Sequence, residues 1–211
     1  MRIKAALFDL DGTLVDSMWV WERILPDFLE EHSLPVYDRI LDEVGHMSPV
    51  QSSVYVKEKY QLSMSAEEIH QRWMEMAQTA YADKVKLKSG AKEYLSKLKE
   101  EGVRLAITTA CDPILVDVCL KHNGVDTLFD TIVYVDDVGK GKDFPDIYIE
   151  ALRRLDSKPE ESMIFEDILT GIRTAKKLGI MAVAVADARQ TNAETLRAES
   201  DIYIRDFFEL L

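Results

Sequence analysis

Two aspartates stand one residue apart in Asp9-Leu10-Asp11, directly after the short apolar run Ala5-Ala6-Leu7-Phe8 and just before Gly12-Thr13. Like charges this close repel, and the repulsion is tolerable only with a cation or a proton between them. The pair therefore asks for a metal. A short, continuous apolar run bounded by turn formers reads as a buried strand of a parallel sheet. Asp9 then ends the strand at its carboxyl edge, where open α/β sheets bind their ligands.

Three further motifs carry groups able to do chemistry. Thr108-Thr109 follows Arg104-Leu105-Ala106-Ile107, Lys142 sits in Gly141-Lys142-Asp143-Phe144-Pro145-Asp146 at a helix entry, and Glu166-Asp167 follows Ser162-Met163-Ile164-Phe165. Each has a plain reading when taken singly. Thr109 can simply end a strand, Lys142 can be a solvated lysine, and Glu166-Asp167 can be an exposed turn. The aspartate pair fails as an EF-hand loop, which needs glycine at its sixth position and glutamate at its twelfth; Leu14 and Val20 stand there. Four such motifs, all at strand ends of one sheet, are far less easily explained as accidents.

The elements that must position them alternate. The pattern predicts strands over 103–108, 131–135, 162–166 and 180–185, separated by helices from Ser89-Gly90 to Gly102, from Asp112-Pro113 to Asn123-Gly124, and over 145–155 and 171–178. A short strand in Asp201-Ile202-Tyr203-Ile204 and a terminal helix from Asp206 follow. Alternation of this kind implies a parallel sheet covered on both faces. Between the first two strands the sequence is helical throughout, over about 18–32, 36–44, 49–60 and 66–83, with breaks at Ser33-Leu34-Pro35, Gly45 to Pro49 and Leu62-Ser63. Residues 17–86 thus read as an inserted helical domain, and residues 1–16 with 87–211 as the α/β core. Asp16 reads as the cap of the first inserted helix.

Composition sets the outer bounds. The 211 residues are 47% hydrophobic and 30% charged, an ordinary globular balance. A net charge of −12 argues against nucleic acid, whose phosphates need a basic face. It does not forbid a small anionic substrate, because surface charge is screened over ~8 Å at physiological salt. No stretch approaches a membrane span, and the apolar run after Arg2 and Lys4 is too short for a signal peptide. Cys111 and Cys119 lie on or beside one predicted helix, roughly 12 Å apart at ~1.5 Å per residue, beyond the ~7 Å reach of a disulfide. Reduced thiols, and hence a cytoplasmic home, are expected.

In order along the chain, Phe8-Asp9-Leu10-Asp11-Gly12-Thr13-Leu14-Val15-Asp16-Ser17, Leu105-Ala106-Ile107-Thr108-Thr109, Gly141 to Asp146 and Phe165-Glu166-Asp167 to Gly179 resemble the haloacid dehalogenase superfamily. Together with the helical insertion they resemble most its β-phosphoglucomutase-like phosphatase branch, which carries a helical cap. The resemblance spans essentially the whole chain. It implies an α/β fold with a Rossmann-like parallel core, Mg²⁺, and phosphoryl transfer through an aspartyl-phosphate. On that reading Asp9 is the nucleophile, which splits a very slow displacement into two easier steps. Bringing a carboxylate to ~3 Å from a phosphate charge costs roughly 5 kcal/mol at an effective dielectric of ~20. The implied offset is Mg²⁺, held by Asp9, Asp167, the backbone carbonyl of Asp11 and, directly or through water, Glu166. Lys142 adds a second cation, and Thr109 with Ala110 and nearby backbone N–H groups holds the phosphoryl oxygens. Asp11 protonates the leaving oxygen and later takes a proton from water, with Thr13 orienting it. His46 is a candidate substrate contact. Trp73 and Met76 either close over the substrate or form part of a packing stripe with Ala80 and Tyr81.

Within this branch the chain departs from the mutases. Their histidine five residues beyond the aspartate matching Asp16 is here Trp21, their donors after the second motif are replaced by Cys111-Asp112-Pro113, and their arginine-bearing cap loop reads His46-Met47-Ser48-Pro49. All three changes remove phosphate-binding groups, which favours hydrolysis of a monophosphate over rearrangement of a bisphosphate. Ala110 stands where many phosphatases have asparagine, Asp143 where proline is usual and Ile168 where serine is common. The expected partner is a small phosphorylated metabolite, with no nucleic acid and no membrane, acting on a monomer. The alternatives are a sugar phosphomutase and, from another class, a receiver-type signalling domain. A receiver carries its acceptor aspartate on a later strand and has no insertion of this size.

Overall fold

The computed structural model describes residues 3–37, 40–44, 47 and 49–211, without the side chains of Asp42 and Pro49. The chain divides into two compact units, Met1–Ser17 with Val85–Leu211, and Met18–Lys84.

The first unit is built on a parallel sheet. In chain order its strands are β1 (Ala5–Phe8), β4 (Arg104–Thr109), β5 (Thr131–Tyr134), β6 (Ser162–Glu166), β7 (Met181–Val185) and β8 (Ile202–Ile204), and they lie side by side as β5-β4-β1-β6-β7-β8. Every pairing is parallel. This is the Rossmann order: the sheet grows one way from β1, then the chain returns and grows the other way from β6. The point of reversal leaves a crevice at the carboxyl ends of β1 and β6. All four residues of β1 are fully buried, which is why that strand reads as a continuous apolar run rather than an alternating one.

Side-chain parity divides the strands between two faces. On one face Phe8 stacks on its register partner Phe165 at 4.4 Å and 2°, both pack near Phe207, and Tyr94 meets Phe165 edge-on. Tyr94 lies on α5 (Ala91–Glu100). On the other face Ala5, Leu7, Ala106 and Ile164 join Ile147, Tyr148 and Ala151 of α8 (Asp146–Arg154) and Ile172 and Ala175 of α9 (Leu169–Leu178) in one core. Two-residue strands β2 (Val15–Asp16) and β3 (Lys86–Leu87) pair antiparallel, Asp16 opposite Lys86. Asp16 is therefore part of a ribbon, and its carboxylate lies 3.8 Å from the Arg189 guanidinium. Asp112 caps α6 (Pro113–Asn123) as expected, accepting from the Ile114 N–H at 2.8 Å.

Two further short helices were not anticipated, α7 (Val135–Val138) and α10 (Ala193–Glu199). Four and seven residues are too few to display a helical period. The terminal helix is a 3₁₀ turn over Phe207–Leu210.

The second unit is helical: α1 (Met18–Glu31), α2 (Ile40–Val44), α3 (Pro49–Tyr60) and α4 (Ala66–Asp83). Ser65 and Glu68 form a full capping box at the start of α4. Trp73, Ala77, Ala80 and Tyr81 are buried along one stripe of α4, and Trp73 packs edge-on against Phe28 at 5.9 Å. For Trp73 the packing reading is the one its contacts support.

Candidate active site

The carboxyl end of β1 places the first acid. The Asp9 N–H still donates to the Phe165 carbonyl at 3.0 Å, so Asp9 keeps the sheet register and the parity of Leu7. The same parity carries Ile164 forward to Glu166. Both carboxylates therefore emerge on the face covered by α8. After Asp9 the chain turns sharply: Gly12 adopts φ 77°, a left-handed conformation that side-chain-bearing residues rarely take, and its N–H donates to the Val15 carbonyl at 3.1 Å.

Asp9, Glu166 and Asp167 are gathered with one ligand oxygen each within 4.8 Å of one another, all buried. Lys142 joins them from the loop before α8. Its ammonium contacts Asp9 and lies 2.8 Å from Glu166 Oε1. Burial opposes that charge, but Asp9 and Glu166 outweigh it and hold the lysine well above its ordinary value. Among the described residues, Lys142 is the one ammonium that pairs with any of these three carboxylates, and it pairs with two of them. The deficit shows in the acids: burial first, then the Asp9 charge, pushes Glu166 and Asp167 well above the usual carboxylate range, against the opposing pull of Lys142. Glu166 Oε2 is buried with no hydrogen-bond partner. An all-oxygen donor set short of positive charge, with one orphaned carboxylate oxygen, fits a hard divalent cation.

Two hydroxyls hold the acids, and one of them does so contrary to expectation. Thr13, expected to orient Asp11, turns its hydroxyl to Asp9 Oδ2 at 3.3 Å and Asp167 Oδ1 at 3.1 Å. Ser17 instead donates to Asp11 Oδ1 at 2.6 Å. The turn from Gly12 to Val15 brings Thr13 back under the strand end and leaves Asp11 beside Ser17. Thr109, buried at the end of β4, accepts the Cys111 N–H on its Oγ1 at 3.0 Å, with Ala110 between them in sequence. His46 lies outside the described residues.

Three supporting groups are not singled out in the sequence, although Gly171 lies within the run from Phe165 to Gly179. Tyr148 donates to Glu166 Oε1 at 3.1 Å. Gly171 passes so near that a Cβ there would sit 2.6 Å from Glu166 Cδ. Gln190 Nε2 donates to the Asp167 carbonyl at 2.9 Å. Only Ser17 was within reach of sequence reasoning, as a hydroxyl six residues from Asp11. At two of the positions where the sequence departs from the mutases it resembles, the side chains have other partners. The Asp112 carboxylate is occupied as a helix cap, and Trp21 packs on Tyr81 at 6.3 Å.

A parallel sheet in Rossmann order, with carboxylates and a buried lysine gathered at its carboxyl edge, defines an α/β enzyme. Residues 6–185 match the family model described as Haloacid dehalogenase-like hydrolase, and the chain belongs to that family. It is 30% identical to the validoxylamine A 7'-phosphate phosphatase of Streptomyces hygroscopicus subsp. limoneus, over 98% of this chain and 95% of that one. It is also 30% identical, over 91% of its own length, to the bifunctional riboflavin kinase/FMN phosphatase of Arabidopsis thaliana, of which it spans about half, 51%. A Thermotoga maritima protein provisionally described as a β-phosphoglucomutase has the same fold, with a TM-score of 0.85 at 24% identity, covering 96% of this chain and 94% of that one. With relatives named as phosphatases along its length, the chain is a phosphoric monoester hydrolase of haloacid dehalogenase type.

Proposed function

We propose that this chain is a Mg²⁺-dependent phosphatase, cytoplasmic and monomeric, that hydrolyses a small phosphomonoester through an aspartyl-phosphate on Asp9. The observation that carries the reading is the buried set in which Thr13 bridges Asp9 and Asp167 while Lys142 contacts both Asp9 and Glu166. Asp9, Asp167 and Glu166, with the Asp11 carbonyl, hold the Mg²⁺, which when bound neutralises the carboxylates and the phosphoryl oxygens. Lys142, kept charged by its two acids, places a fixed cation beside the nucleophile. The Thr109 hydroxyl, its oxygen anchored by the Cys111 N–H, and the backbone N–H of Ala110 hold the phosphoryl group.

A carboxylate oxygen of Asp9 attacks phosphorus, the P–O bond to the substrate breaks, and Asp11 gives its proton to the departing oxygen. Water then attacks the aspartyl-phosphate, Asp11 takes the proton, and phosphate leaves with Asp9 restored. Ser17 fixes the Asp11 carboxyl for both transfers. The substrate is a sugar phosphate or a phosphoglycolate-like acid. The molecules named for two relatives, FMN and validoxylamine A 7'-phosphate, are likewise monoesters of small organic alcohols.

The test is a panel of phosphomonoesters, with and without Mg²⁺, read by free phosphate. A hexose 1-phosphate with a trace of its bisphosphate is included. Mg²⁺-dependent phosphate from some monoester and no isomerised sugar is expected. Hexose 6-phosphate with little free phosphate would overturn hydrolysis in favour of a mutase. A single phosphorylation without turnover would point to a receiver.

A further inference from the structure

Glu166 stands out among the acids because its two oxygens are treated so differently. Oε1 takes two donors, the Lys142 ammonium at 2.8 Å and the Tyr148 hydroxyl at 3.1 Å. Oε2 is buried and has none. The carboxyl group is also walled in: a Cβ on Gly171 would stand 2.6 Å from Glu166 Cδ, 2.8 Å from Oε1 and 2.9 Å from the Tyr148 hydroxyl. Tyr148 itself is wholly buried in the core with Leu7, Ile164 and Ile172, so its ring cannot turn away without emptying that core. A buried tyrosine hydroxyl needs a partner, and the acceptor it has here is Oε1.

From this we infer that Tyr148 is a positioning residue that, with Lys142, occupies Glu166 Oε1 and leaves Oε2 alone to serve the cation, directly or through one water. The inference rests on the metal reading given under Proposed function and adds to it a preference between cations. Ca²⁺ takes six to eight oxygens and accepts carboxylates through both of theirs. Mg²⁺ demands a near-octahedral shell at ~2.0–2.1 Å and keeps several waters. A glutamate limited to one oxygen suits Mg²⁺ and handicaps Ca²⁺. Taking the Tyr148 hydroxyl away leaves Oε1 to Lys142 alone and loosens its hold, which helps the same glutamate close on a larger ion with both oxygens.

The experiment titrates Mg²⁺ and Ca²⁺ by calorimetry into the full chain as wild type, Tyr148→Phe, Glu166→Gln, the double variant and Asp167→Asn. Groups that orient metal ligands typically change affinity by ~10–100-fold when removed. Tyr148→Phe is expected to weaken Mg²⁺ about 10-fold and leave Ca²⁺ unchanged or tighter, so the Mg²⁺/Ca²⁺ preference falls by at least about 10-fold. In the Glu166→Gln background the same change is expected to shift Mg²⁺ affinity less than about 2-fold, since Tyr148 acts through that carboxylate. Should Tyr148→Phe fail to fold, Gly171→Ala crowds both that oxygen and the Tyr148 hydroxyl that holds it, and is expected to lower the same ratio. An unchanged ratio, or an equal loss with and without Glu166, overturns the inference while leaving the metal reading intact, provided Asp167→Asn abolishes binding. If wild type shows no saturable Mg²⁺ binding and Asp167→Asn behaves identically, the metal reading has failed and this inference falls with it.

Discussion

Two lysines in this molecule sit among a glutamate and tyrosine hydroxyls, and the sheet unit treats its lysine quite differently from the helical unit. In the sheet unit, Lys142 meets Asp9 and Glu166, and Glu166 also accepts from Tyr148. In the helical unit, Lys59 meets Glu43 Oε2 at 2.5 Å, and the same oxygen accepts from Tyr37 at 2.6 Å and Tyr55 at 2.5 Å. Lys59 also lies 4.1 Å over the Tyr37 ring. The inventories nearly match, but the surroundings do not. The side chains of Lys142 and Glu166 are 8% and 0% exposed, against 27% and 37% for Lys59 and Glu43. Water screens the second cluster and bounds what it contributes. The first is desolvated, so each charge there is either matched or costly. The same four-carbon ammonium is a buried charge locked between two carboxylates in one place and a surface tie between α2 and α3 in the other.

The most severe way to break the contrast is Asp9→Asn. The amide keeps a polar partner for Lys142 but removes the nucleophile, so phosphate release should fall to background while circular dichroism stays native. Turnover near wild type would falsify the assignment of Asp9. Next comes Asp11→Asn, which should cost at least the ~10²–10⁴ in kcat typical of an acid–base group and keep Mg²⁺ affinity within a few-fold. A variant that loses the metal but retains its chemistry would reverse the two roles.

Lys142→Met leaves Asp9 and Glu166 buried without their cation. Stability in EDTA, measured by urea unfolding, should drop by about 3–5 kcal/mol. Added Mg²⁺ should recover part of the loss, because a ligand bound only by the native state stabilises it. The mildest probe is Glu43→Gln, which should change stability by no more than the ~1 kcal/mol of an exposed pair, and by less at high salt. A loss as large as that of Lys142→Met would show that exposure does not separate the two clusters.

Much of the sheet unit was readable in the sequence because its signals are local. A four-residue apolar run, a capping Asp112-Pro113 and paired acids after strands each declare themselves within a few positions. Of the α4 stripe, Trp73, Ala80 and Tyr81 were readable for the same reason, as one turn repeats the next, whereas Met76, placed with them in the sequence, is half-buried and Ala77 takes the buried position. Strands of two residues, β2 and β3, leave no period to read, so the ribbon that sets Asp16 opposite Lys86 has no signal in the sequence.

By itself, then, the sequence determined the class of fold, the strand ends at which the acids fall, and the residue types gathered there. Only the tertiary structure decided which group holds which. Thr13 reaches Asp167 across 154 positions, and Tyr148 reaches Glu166 across 18. Both contacts depend on which strands become neighbours and which face a given parity selects. The Ser17 contact with Asp11 hangs on the direction of a turn built at Gly12. Hydrogen bonds are directional and short-ranged, so such partners are chosen only once register, parity and turn have placed the atoms within about 3 Å of each other.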